Sequence, residues 1–145
     1  MRGGKVLSIA MLVLLVTVRA GGTQPQAINF LSQVNVSTPL PFTGTWAASG
    51  TINDSGTLSE PTVFFSDGQL HIVRICTGAK GQITIKIQSK ITNVTDNSTT
   101  FVGEWVIVSG SGAYATLHGQ GGRAAVFING TGTVTETLTG EAHFD

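Results

Sequence analysis

Charge is scarce in this chain: only 11% of its 145 residues are Asp, Glu, Lys or Arg, and Thr and Ser fill most of the polar positions. That composition is poor material for exposed helices and suits strands and tight turns. Cysteine is nearly absent too. The single Cys76 cannot form an internal disulfide, so the fold must be held by its core and its hydrogen-bonded ladder. With only Arg74 close in sequence to activate it, Cys76 reads as a small buried core residue. His71, His118 and His143 lack the short spacings of metal-ligand motifs, so no metal is expected. No Gly-x-Ser-x-Gly elbow surrounds Ser109 or Ser111, which argues against a serine hydrolase. Gly119-x-Gly121-x-x-Ala124 matches a loose dinucleotide fingerprint but opens no helix on which a pyrophosphate could rest, so no cofactor is expected.

The one apolar run of any length lies at the start. Arg2 and Lys5 precede Val6–Val18, apolar apart from Ser8 and Thr17, and Val18-Arg19-Ala20 suits a signal peptidase. This predicts an export signal over residues 1–20 and a secreted product, extracellular or periplasmic. The run is shorter than a spanning helix needs, and no later segment approaches that length, so no permanent membrane span is expected. Removing the signal leaves five basic residues (Arg74, Lys80, Lys86, Lys90 and Arg123) against eight acidic ones, a net charge of −3. Without a basic cluster, nucleic acid and anionic membrane surfaces are poor partners. Sequons at Asn35, Asn53, Asn93, Asn97 and Asn129 read as surface glycan sites or as unmodified turn asparagines.

The length fits one domain. Residues 21–42, with Pro25, Pro39 and Pro41, read as a flexible lead-in in which Val34–Ser37 could form an edge strand, and the domain proper is expected over residues 43–145. From there short runs alternate with turn residues such as Ser66-Asp67-Gly68, Gly78-Ala79-Lys80-Gly81 and Asn129-Gly130. In Gln82–Val94, Ile83, Ile85, Ile87 and Ile91 share one parity and Thr84, Lys86, Gln88 and Lys90 the other, giving one buried and one wet face. In Thr100–Val108 both parities carry apolar residues, which predicts a strand covered on both sides. Arg123–Ile128 and Gly132–Phe144 close the series, and the only candidate helix is a turn or so around Ala113–His118. The spacing predicts an all-β fold of seven or eight antiparallel strands, a barrel or a sandwich.

The stretch from Trp105 to Gly121, with Ser109-Gly110-Ser111-Gly112-Ala113-Tyr114 at its bend, resembles the strand-to-turn segment of the allene oxide cyclase and dirigent superfamily. The closing Leu138–Asp145 is similar to the final strand of bacterial secreted barrels of that type. The resemblance implies a closed, calycin-like antiparallel barrel of about eight strands, whose interior in some plant relatives binds an apolar substrate and steers a cyclisation by confinement. Physically, Gly110 and Gly112 release the chain from strand geometry, Tyr114 and Leu117 drop back as a plug over one barrel end, and Gly119 and Gly121 permit close packing where the chain re-enters the sheet.

In the last strand Val134, Glu136, Leu138, Ala142 and Phe144 share a parity, which places Glu136 inside the barrel with Arg74 as its partner. Glu136 then reads either as half of a structural ion pair or as an anchor or base with a raised pKa. The leading expectation is a barrel that binds a small, mainly apolar molecule. Its lining candidates are Trp46, Trp105 and Phe144, and its polar anchor is Glu136 with Arg74. The alternatives are an isomerase or cyclase with Glu136 as the catalytic base, and a packed extracellular structural module.

Overall fold

A computed structural model describes residues 24–145, so the expected export signal at residues 1–20 lies outside the described residues. Eight antiparallel strands close into one barrel in chain order: β1 (Gln26–Asn35), β2 (Phe42–Gly50), β3 (Asp54–Ser66), β4 (Gln69–Gly78), β5 (Gln82–Val94), β6 (Ser98–Gly110), β7 (Leu117–Ile128) and β8 (Thr133–Phe144). Closure leaves no edge strand, which a small domain without disulfides requires to avoid edge-to-edge pairing. Among the described residues no helix is long and apolar enough to cross a membrane.

The expectation of a flexible lead-in before Thr43 is corrected here. β1 lies inside that segment and closes the barrel, pairing with β2 from Ile28 opposite Gly50 and with β8 from Gln26 opposite Ala142. Ile28, Phe30 and Val34 alternate inward on it and are all buried, a period-two pattern interrupted by the polar Ser32. Two further expectations change. Ile91 is 46% exposed, beside the register shift in the β5–β6 pairing between Ile91 and Asn93. On β6 the outward Val102, Val106 and Val108 are exposed, so that strand is covered on its inner face only.

Turn chemistry fixes the register. Asp67 and Gly68 both take positive φ, 54° and 75°, the pair of left-handed residues that a tight hairpin with the strands' own twist requires. The β7–β8 connection is wider than the Asn129-Gly130 dipeptide suggests, with residues 129–132 forming the loop and Thr131 donating its hydroxyl to the Ile128 carbonyl.

The two barrel ends differ. At the end where β6 passes to β7, Gly112 (φ 61°) lets a single 3-10 turn, Gly112–Tyr114, fold back over the opening. Tyr114 is 1% exposed and Leu117 is buried beside it, so the expected plug is present. His118, placed by the sequence reading at the end of a helical turn, belongs to β7. At the opposite end, among the described residues, no helical turn comparable to Gly112–Tyr114 is present. The inward-facing Phe42, Val63, Phe101 and Phe127 are only partly buried there, and Phe65, opposite Leu70, is 62% exposed.

Candidate functional site

Between the plug and the open mouth the barrel interior carries a layer of buried charge. Arg74 on β4 is fully buried, and Glu60 on β3, Arg123 on β7 and Glu136 on β8 are each 4% exposed or less. All four point inward, and Arg74 shares its strand parity with the buried Ile72 and Cys76, as Glu136 does with Val134 and Leu138. Arg74 donates from Nε and Nη2 to Glu60 Oε2 at 3.0 and 2.8 Å, from Nη2 to Glu136 Oε2 at 2.9 Å, and from Nη1 to Glu136 Oε1. Arg123 donates from Nε to Glu136 Oε2 at 2.5 Å and from Nη1 to Ser89 Oγ at 2.7 Å, while its guanidinium lies 5.8 Å from the Phe101 ring centroid. Two guanidiniums facing two carboxylates give a neutral, cross-linked set.

The ion-pair reading of Arg74 and Glu136 is thus realised, and the raised pKa of the alternative reading, as an anchor or base, is not found. Burial pushes the Glu136 carboxyl up, yet the charges and hydrogen bonds of Arg74 and Arg123 together outweigh that and hold it below its ordinary value of 4.5. Arg74 is moved further above its already high value: burial opposes its charge, and the two glutamates more than offset this. Cys76 is buried in the same wall, and burial pushes its thiol up to about 12 against the lowering influence of Arg74. It is an inert core group. Ser32 Oγ, inward on β1 opposite Glu136 in register, is a buried polar atom that lacks a partner among the described residues.

The other residues singled out by sequence lie elsewhere in the barrel. Trp46 and Trp105 flank Phe30, at centroid distances of 6.1 and 5.6 Å, and donate their indole N–H to the carbonyls of Thr77 and Thr139. Phe144, at the far end of β8, pairs with Leu117 near the plug. Arg74 and Glu136 meet each other, while the tryptophans and Phe144 build the apolar half that Tyr114 closes.

Sequence reasoning missed Glu60, Ser89 and Arg123. The signal for Ser89 was in plain view, in register with Ile83, Ile85 and Ile87, and Arg123 shares its parity with Ala125 and Phe127. Glu60 was hidden by the register shift between Ser59 and Thr62, which breaks the alternation of β3. The aromatic collar at the open mouth was missed as well, because Phe42 fell in the supposed lead-in and Phe65 and Phe127 sit at strand ends. No family model, curated protein or solved structure matches the chain.

Proposed function

We propose that the chain is a secreted, non-enzymatic barrel that takes a small, mainly apolar molecule at its aromatic mouth. The supporting observation is the collar itself. Phe42, Val63, Phe101 and Phe127 face the barrel axis yet stay only partly covered, and Phe65 and Ile91 beside them are 62% and 46% exposed, while the other end is plugged. Inward-facing apolar side chains that pack on the core on one side and stay uncovered on the other are a favourable place for a hydrophobic guest, since each covered Å² contributes about 25 cal/mol. The Arg74–Glu136–Arg123 layer below is a rigid, mutually satisfied floor, and a guest presents its apolar side to the rings. The basic, apolar start of the chain supports export.

The resemblance to allene oxide cyclase and dirigent barrels favours an apolar guest but not catalysis. A carboxylate held ionised by two guanidiniums is a weak base, so the isomerase reading lacks its proton acceptor. The test is native mass spectrometry of the protein secreted by its own host, before and after organic extraction. A retained small molecule that Phe127→Ser loses and Leu31→Ser, altered on the exposed outer wall, keeps is the expected result. An unchanged mass after extraction, with no Phe127-dependent uptake of the uncharged apolar dye N-phenyl-1-naphthylamine, overturns the proposal.

A further inference from the structure

A second concave surface lies on the outer wall, on the opposite face of the sheet from the collar. It is a groove of about 940 Å³ running across β3 to β8. The strand register explains its lining. Phe64, His71, Gln88, Glu104 and Gly122 sit opposite one another on successive strands, forming one continuous outward row. The adjacent row runs Val73, Lys86, Val106, Gln120 and Glu141. Five inter-strand spacings from β3 to β8 give a length of about 24 Å. A further depression of about 340 Å³ shares Val106, Gln120 and Glu141 with the groove and extends it toward His118 and His143.

Two features make this more than a wet barrel wall. Phe64 is 50% exposed and stacks on His71, with centroids 4.9 Å apart and planes 15° from parallel, so a flat apolar platform stands at one end of the row. Gly122 leaves a gap further along. A side chain there would meet nothing nearer than the Gly103 carbonyl oxygen at 3.8 Å, so the missing side chain gives the row its depth. Around platform and gap stand two amides, two carboxylates, one ammonium and one imidazole, donors and acceptors interleaved.

We propose that this groove binds a neutral oligosaccharide laid across strands β3 to β8. A pyranose offers exactly such a wall its two matching surfaces: an axial face of C–H bonds for the Phe64–His71 platform, and an equatorial belt of hydroxyls that both donate and accept. Gln88 and Gln120 supply both halves of that exchange, and Glu104 and Glu141 accept. With Glu104 and Glu141 against Lys86 alone, fixed charge in the groove is acidic, which disfavours anionic glycans. The site is independent of the collar, and its failure leaves the apolar-guest reading untouched.

The test is a titration of the mature protein, isotope-labelled, with cellohexaose, xylohexaose, mannohexaose and oligogalacturonate, followed by amide NMR. A neutral hexaose is expected to shift the backbone signals of Gly121 and Gly122 and the side-chain amides of Gln88 and Gln120. Gly122→Leu, which fills the gap without backbone strain, and Phe64→Ala, which removes the platform, are each expected to weaken binding at least tenfold. Phe127→Ser in the collar is expected to leave it unchanged. Shifts by none of the neutral oligomers, binding only of oligogalacturonate, or affinity unaltered in both Gly122→Leu and Phe64→Ala overturns the proposal. Should Gly122→Leu fail to fold, Phe64→Ala on the exposed surface decides alone.

Discussion

Glu136 is the residue on which the interior charge layer turns, because it alone faces both guanidiniums. Glu136→Gln keeps the shape but leaves Arg74 and Arg123 with Glu60 as their only carboxylate. Removing one partner from a buried charge set costs about 3 kcal/mol, so the urea midpoint is expected to fall with an unchanged slope. The pH dependence has a definite sign. The folded carboxyl titrates below 4.5, its ordinary value, so its stabilising contribution is complete above 4.5 and is lost as the pH falls from there through the lowered folded value. The stability gap between the parent and Glu136→Gln is expected to narrow on acidification in that window, and a gap independent of pH would contradict the ion-pair assignment. Ser32 sets the contrast. Its hydroxyl is buried without a partner, so Ser32→Ala removes a desolvation penalty and no hydrogen bond. Its urea midpoint is expected to stay level or rise, corresponding to a gain in stability of up to about 1 kcal/mol. Strand parity read from sequence was enough to set Glu136 and Arg74 inside, but the second guanidinium on Glu136, that of Arg123, comes from a strand whose inward face had not been singled out.

Among the elements, the turn carrying Tyr114 decides which end of the barrel is closed. The Tyr114 hydroxyl donates to Asp54 Oδ2 at 2.5 Å across the opening. That hydrogen bond is the largest influence holding Asp54 below its ordinary 3.8, and burial works against it. Tyr114→Phe is therefore expected to raise the Asp54 pKa toward 3.8, read by carboxyl carbon NMR titration, with the plug still packed. Tyr114→Ala removes the ring as well and is expected to cost about 3 kcal/mol, the usual loss for truncating a buried aromatic. An Asp54 titration identical in Tyr114→Phe would show that the plug is held by packing alone. This element was legible from the glycines around Ser111, since a strand that must stop and refold over an opening needs residues free of strand geometry. β1 was not legible, because Pro25 and the Pro39–Pro41 stretch bracket it and Ser32 interrupts its apolar alternation. The outward valines of β6 misled for the opposite reason, since a barrel wall facing solvent can carry scattered apolar side chains without a covering layer.

At the scale of the whole molecule, closure joins the two halves of the chain through β1, whose neighbours are the second strand and the last. Phe30 on β1 sits between Trp46 of β2 and Trp105 of β6, so one ring bridges opposite walls of the barrel. Losing β1 therefore uncovers both indoles and opens two strand edges at once. A barrel built this way has no sub-domain able to survive alone, and it is expected to unfold in one cooperative transition. Far-UV circular dichroism and tryptophan emission should give coincident urea curves, and Phe30→Ala should shift both curves together by about 3 to 4 kcal/mol. A tryptophan transition that precedes the loss of sheet signal would mean that β1 detaches while the other seven strands hold. The barrel would then behave as an open sheet with a removable strand, and the rigid floor on which the apolar-guest proposal relies would lose the wall that carries Ser32.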